Sequence, residues 1–157
     1  DPLVCYLDNP ILLQGGRSPE IVPFSYPITA SPFFLVDTQI TRQTGPFVSL
    51  FLQKYEELYF QTKVKKDLIP ANEAAIDALL TGNAAELWSA FQAISSFEYS
   101  HFLEMIPTSI LPLWEEGLTQ GDFALKLCGA GGGGFMLGLA KDTAAMNRLS
   151  LAQAITF

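Results

Sequence analysis

The first third of the chain carries short apolar runs separated by proline, glycine and asparagine. Runs of three or four apolar residues bounded by such turn formers are typical of short β-strands. They predict strands at Val4–Leu7, Ile11–Leu13, Ile21–Val22 and Phe33–Val36. The segment 14–19, which contains Gly15 and Gly16, is expected to be a loop.

After Asp37 the apolar spacing becomes helical. Phe47, Leu50, Phe51 and other apolar residues up to Tyr59 recur every three or four positions, which predicts a helix over 44–59 with charged residues on its outer face. Similar spacing predicts helices over 67–82, 84–105, 109–116 and 143–153, and shorter apolar runs predict strands at Phe123–Cys128 and Phe135–Ala140. This order of elements indicates one α+β domain over residues 1–157.

Bulk composition narrows the class of protein. The chain has 157 residues, of which 49% are hydrophobic, and a net charge of −7. This composition is opposite to that of disordered chains, the acidic balance argues against nucleic-acid binding, and no apolar stretch reaches a membrane span of roughly 20 residues. The chain opens at Asp1, so we expect a processed or partial sequence.

The few cysteines and the single histidine suggest a cytoplasmic protein without a structural metal. Cys5 and Cys128 stand far apart, which favours a reducing compartment over a disulfide framework. His101 is the one histidine, and no Cys-x-x-Cys spacing is present, so no zinc site is expected. We interpret His101, which lies among phenylalanines, as a helix residue at the edge of the core.

The most unusual segment lies between the last two long strands. Residues 129–134 read Gly-Ala-Gly-Gly-Gly-Gly, which is far more glycine than a hairpin turn needs. Such a run is typical of backbone that approaches other backbone or an anionic ligand closely. A dinucleotide-binding fold would need a helix after the loop, and a Walker loop would need Gly-Lys-Ser/Thr; neither pattern is present.

The string from Lys126 to Phe135 resembles the third motif of the GHMP kinase superfamily, in its mevalonate kinase form Lys-x-Thr-Gly-Ala-Gly-Gly-Gly-Gly-x. The resemblance implies that Lys126 contacts substrate or phosphate. It also implies an active-site loop made of Cys128, Gly129, Ala130, Gly131, Gly132, Gly133 and Gly134. Cys128 stands where threonine is usual, and it therefore lacks that hydroxyl.

Two further segments carry the same resemblance. Residues 33–44 are similar to a strand that runs into Asn-Thr-x-x-x-Arg-x-Thr, which implies that Arg42 and Thr44 contact substrate or phosphate. The alternative is that Thr44 only caps a helix and Arg42 is a solvated loop charge. The opening residues resemble the stretch after Ser-Gly-x, which implies that Asp1 is the catalytic base; otherwise Asp1 is an untethered terminal residue.

The resemblance implies a ferredoxin-like carboxy-terminal GHMP kinase domain, an antiparallel sheet covered by four to five helices. The implied reaction transfers a phosphoryl group from ATP to a hydroxyl of a small molecule, as in isoprenoid biosynthesis. ATP and Mg²⁺ would be bound mainly by an amino-terminal kinase domain outside this chain, so the fragment alone is expected to be inactive. No metal ligand is expected here, and a homodimer that covers exposed apolar strands is predicted.

Two other functions stay open. The loop with Phe135-Met136 also resembles sugar kinases of the superfamily, such as heptose-phosphate kinases, which would change the acceptor but not the chemistry. The chain could instead be a non-catalytic module that binds a metabolite or a protein partner.

Overall fold

The computed structural model describes residues 7–22, 32–42, 44–149 and 154–156. Within these ranges the strands are β1 (Ile11–Leu12), β2 (Glu20–Ile21), β3 (Phe33–Asp37), β4 (Phe123–Leu127), β5 (Phe135–Ala140) and β6 (Ala154–Thr156). The helices are α1 (Thr44–Tyr55), α2 (Leu58–Lys63), α3 (Ile69–Thr81), α4 (Ala84–His101), α5 (Leu111–Gln120) and α6 (Thr143–Arg148). The predicted strand Val4–Leu7 lies almost wholly outside the described residues.

Four strands form the main sheet, in the order β4-β5-β3-β6. Every neighbouring pair is antiparallel, with Leu127 opposite Met136 and Leu35 opposite Leu137. From β3 onward, the elements along the chain are a strand, helices, two strands, a helix and a strand. This is the split βαβ arrangement of ferredoxin-like folds. The prediction of an α+β domain with an antiparallel sheet and several helices is confirmed.

Alternating side chains of the sheet enter two separate apolar clusters. Phe34, Val36 and Met136 point into the larger cluster, together with Phe123, Leu125 and Leu127. Phe33, Ala124 and Leu139 enter a second cluster against α3 and α4. Both faces of the sheet are therefore covered, which is why these strands read as nearly continuous apolar runs.

The predicted helix over 44–59 is wrong in its extent, because α1 ends at Tyr55 and α2 begins at Leu58. Glu57 is extended, with φ −79° and ψ 122°, and this breaks the helix. The apolar face predicted for this helix is also only partly buried. Phe47, Leu50 and Phe51 pack on the core, but the apolar side chains of Val48, Leu52, Leu58 and Tyr59 are exposed.

The next helical segment is longer than predicted. From α2 the chain passes through a π-helical turn, Val64–Leu68, directly into α3, whereas the sequence predicted a helix that starts at Asp67. Polar side chains of Lys65, Lys66 and Asp67 cover the outside of this turn, and they obscured the apolar period. Gly82 ends α3 with φ +72°, as predicted.

Three helix ends differ from the predictions. α4 ends at His101 and a short 3₁₀ turn, Leu103–Met105, follows, because Phe102 leaves helical geometry with φ −120°. α5 runs past Gly117, which was predicted as its end. A Cβ at Gly117 would lie 2.8 Å from the carbonyl oxygen of Phe123, so this glycine serves close packing, and Gly121 caps the helix. α6 ends at Arg148 and not at residue 153.

His101 occupies the position that the sequence indicated. It is half-buried at the end of α4, and its ring centroid lies 4.5 Å from that of Phe97. Burial is the main cause that lowers its pKa, with smaller contributions from Lys63 and Lys54. Its carbonyl oxygen accepts a 2.7 Å hydrogen bond from Lys54, which attaches α1 to α4. The interpretation of His101 as a core-edge residue is confirmed.

Candidate functional site

The glycine loop connects β4 to β5 and is built from backbone that other residues rarely adopt. Gly129, Gly131, Gly132 and Gly134 have φ between +71° and +79°, and Gly133 has φ +150°. L-amino acids with a Cβ are strained at these angles, whereas glycine is not. The backbone of the loop therefore requires glycine at these five positions.

Two segments hold the loop from opposite sides. The N–H of Gly132 donates to the carbonyl oxygen of Met105 at 2.6 Å, and the N–H of Gly134 donates to Ile40 at 2.8 Å. The carbonyl oxygen of Gly134 accepts from both the backbone and the hydroxyl of Thr38, at 2.9 and 2.8 Å. These bonds fix the middle and the end of the loop.

Close packing explains why side chains are excluded at three positions. A Cβ at Gly131 would lie 2.6 Å from the carbonyl oxygen of Met105, and one at Gly133 would lie 2.6 Å from that of Ile40. A Cβ at Gly132 would overlap the ring of Phe47 on α1. Within the described residues, the N–H groups of Gly129, Ala130 and Gly133 donate to no backbone acceptor. Gly129 is exposed and Ala130 is half-buried, so their N–H groups can be offered to an anion, whereas Gly133 is buried.

Arg42 lies directly beside this loop. Its guanidinium covers Gly129 so closely that a Cβ there would overlap it, and its aliphatic part faces Gly134. The side chain is exposed, so its charge is available to a ligand. Thr44, also exposed, is the first residue of α1, two positions after Arg42. Guanidinium, helix start and loop amides together suit a phosphate or carboxylate group.

Lys126 takes a different position. Its Nζ donates to the carbonyl oxygen of Leu127 at 2.9 Å, and its side chain lines a cavity on the side of α3 and α4. Cys128 is half-buried, and burial is the main cause that raises its pKa. The charges of Lys126 and Arg42 both act to lower that pKa, so the thiol lies within electrostatic reach of both side chains.

The cavity has a volume of about 710 Å³ and lies between the β1–β2 hairpin and helices α3 and α4. Its lining mixes apolar residues such as Leu13 and Ile94 with charged ones, among them Arg17 and Lys126. A concave site with a few polar groups is the usual form of a small-molecule site.

Glu98 of α4 also lines this cavity, and the sequence analysis missed it. It is only 7% exposed, and burial raises its pKa to about 7, while Lys126 and the Leu127 amide act in the opposite direction. A signal was present in the sequence. Glu98 continues the buried helical spacing of Phe91 and Ile94, so a carboxylate occupies a core position.

Comparison with solved structures places this geometry in a known fold. The structure of L. major mevalonate kinase in complex with R-mevalonate matches with a TM-score of 0.62 and 19% identity, over 87% of this chain and 41% of that chain. Streptococcus pneumoniae phosphomevalonate kinase in complex with phosphomevalonate and AMPPNP matches with a TM-score of 0.65 and 17% identity, over 92% and 44%. The chain has a GHMP kinase-like fold.

This chain spans about two-fifths of the length of either structural neighbour. No protein-family model matches it, and a search of curated proteins returns no match. The resemblance to GHMP kinases is thus carried by the fold and by the loop motif together. No helix in the described part of the chain is long and apolar enough to cross a bilayer.

The GHMP kinase-like fold raises the question of where ATP and Mg²⁺ would bind. Among the described residues, no group of three or more histidine, cysteine, aspartate or glutamate side chains could hold a metal ion.

The predicted catalytic residue Asp1 lies outside the described residues. Of the predicted site residues, the structure brings Arg42 to the glycine loop and places Thr44 two residues further on, whereas Lys126 is turned toward the cavity and Glu98.

Proposed function

We propose that this chain is the acceptor-binding half of a GHMP-type kinase that transfers the γ-phosphoryl group of ATP to a hydroxyl group of a small molecule. Mevalonate is the first candidate acceptor, because a mevalonate kinase is among the structural neighbours and the loop motif is most similar to that enzyme's. The single observation that supports the proposal best is the loop of glycines at positive φ with Arg42 packed against it.

Each residue has a distinct role in this proposal. Arg42 and the N–H groups of Gly129 and Ala130 balance the negative charge on the acceptor and on the phosphoryl group in transfer. Thr44 orients the acceptor, and Asp1 takes the proton of the attacking hydroxyl. ATP and Mg²⁺ are held mainly by a nucleotide-binding half outside this chain, and they supply the phosphoryl group and its charge neutralisation.

The first experiment measures ADP release by the complete protein with Mg²⁺, ATP and a panel of acceptors. The panel contains mevalonate, phosphomevalonate and a heptose phosphate. Turnover of mevalonate supports the proposal as stated, and turnover of the heptose phosphate alone would move the acceptor class to sugars. Binding of an acceptor without ADP release would refute the kinase and favour a non-catalytic module.

Arg42→Ala provides the residue-level test. We expect a loss of about a hundredfold in kcat/KM, because one donor to the developing charge is removed, while the exposed position leaves the fold intact. Arg148→Ala is a matched control, since Arg148 is also exposed but pairs with Asp122 at the far end of β4, at 2.9 Å. Equal kinetic effects of the two changes would contradict the role of Arg42.

A further inference from the structure

Glu98 is a carboxylate in a place where helices normally carry apolar residues. It lies on α4 and is 7% exposed, and two buried residues near it on the helix, Phe97 and Ile94, belong to the two apolar clusters. A buried charge is costly unless it is paired and hydrogen-bonded. The polar contacts of Glu98 therefore have to offset the cost of burying its carboxylate.

Those contacts are made to the strand that leads into the glycine loop. Oε2 of Glu98 accepts a hydrogen bond from the N–H of Leu127 at 2.7 Å. Nζ of Lys126 donates to the carbonyl oxygen of Leu127 at 2.9 Å. β4 is an edge strand of the four-stranded sheet, so both backbone groups of Leu127 are satisfied by side chains in place of another strand.

The same helical segment holds the loop a second time. Leu127 is the last residue of β4, and Cys128 and the glycines follow it directly. Met105, in the 3₁₀ turn after α4, accepts from the N–H of Gly132 at 2.6 Å. Glu98 thus fixes the start of the loop and Met105 fixes its middle, both from one continuous stretch of chain.

We propose that Glu98 is a positioning residue, which fixes Leu127 so that the amides of the glycine loop and the adjacent Arg42 face the acceptor. This inference rests on the proposed function for its kinetic consequence, although the positioning itself can be measured without any turnover. Neither the loop motif nor the resemblance assigns a role to this side chain.

The ionised carboxylate is the stronger acceptor for the Leu127 amide, so loop positioning depends on the charge of Glu98. Burial brings that charge change close to neutral pH. Of the charged side chains around Glu98, Lys126 lowers its pKa, and Glu98 in turn raises the pKa of Cys128. Arg17, Glu73 and Asp77 line the same cavity as Glu98.

Hydrogen–deuterium exchange tests the positioning directly, in the complete protein at about pH 8. In Glu98→Ala we expect the peptide over 127–135 to exchange about tenfold faster or more, because a hydrogen bond to a charged group is lost. Glu98→Gln retains an acceptor oxygen and should restore most of the protection. Peptides from α5 should not change, and Glu116→Ala, at an exposed position of that helix, is the matched control.

The kinetic arm uses the same variants. With the acceptor that the panel identifies, wild-type kcat should rise through about pH 7, and Glu98→Gln should lose that inflection, which a purely structural role would not predict. Unchanged exchange of the 127–135 peptide in Glu98→Ala would overturn the inference. If Glu98→Ala does not fold, a kcat profile of Glu98→Gln that keeps the wild-type inflection near pH 7 would overturn it equally. Absence of turnover with altered exchange would refute the kinase but not the positioning.

Discussion

Replacing Glu98 by glutamine should make the protein more stable near neutral pH. The pKa of this carboxyl rises from 4.5 to about 7 on folding because the side chain is buried. The folded state therefore keeps a proton that the unfolded chain has released, and stability falls as the pH rises from 4.5 toward 7. Above that range the loss is complete and constant. Glutamine stays neutral at every pH, retains an acceptor for Leu127 and does not incur this loss.

The size of the effect follows from the two pKa values. The interval between 4.5 and about 7, at about 1.4 kcal/mol for each pH unit, corresponds to about 3 kcal/mol. Urea unfolding of both proteins at about pH 5 and about pH 8 should reveal most of this difference. From about pH 5 to about pH 8, the free energy of unfolding of Glu98→Gln should rise by roughly 2 kcal/mol relative to that of wild type. This is less than the full effect, because part of the change takes place below about pH 5.

Other carboxylates contribute equally to both proteins and cancel in this comparison. Glu116→Gln makes the same chemical change at an exposed position and should parallel wild type at both pH values. Parallel pH dependence of Glu98→Gln and wild type would refute the argument, because the carboxyl would then be ionised in the folded state at both conditions. A stabilised variant with a less protected loop would show that this buried charge serves function at the expense of stability.

Two further predictions test the loop and the division of labour between this chain and the nucleotide-binding half. Gly132→Ala should lower the melting temperature clearly more than Gly16→Ala, because both have φ +76° but only the new Cβ at 132 meets a ring, that of Phe47. Equal decreases in melting temperature would contradict the packing, since the strain of a positive φ is common to both variants. The 157-residue chain alone should show no kinase turnover and little ATP affinity by calorimetry, and tight ATP binding would contradict the placement of ATP outside it.

The dimer predicted from exposed apolar strands stays a prediction. Leu13 is 62% exposed and Phe135 is 41% exposed, so apolar surface is present at both positions that the sequence indicated. Sedimentation of the complete protein and of the 157-residue chain would separate self-association from cover by another domain.

Much of the fold could be predicted from local pattern. The apolar runs at 33–36, 123–128 and 135–140 became β3, β4 and β5, because strands buried on both faces have few polar positions. Gly82 ends α3 as predicted, since the αL conformation at a helix end favours glycine wherever the helix packs. The glycine loop was also recognisable, since five glycines in six positions have few other uses.

Other features depended on contacts between residues distant in sequence. Gly117 resembles a helix end, yet it lies inside α5. Glycine is required at this position because Phe123 leaves no room for a Cβ. Glu98 resembles one more polar position of a helix, and only the arrival of β4 beside α4, with an unpaired edge amide at Leu127, gives its carboxylate a partner. Local pattern determined which segments form helices and strands and where the backbone must be glycine. The tertiary structure decided which side chains surround that backbone, because burial and charge pairing arise only when distant segments meet.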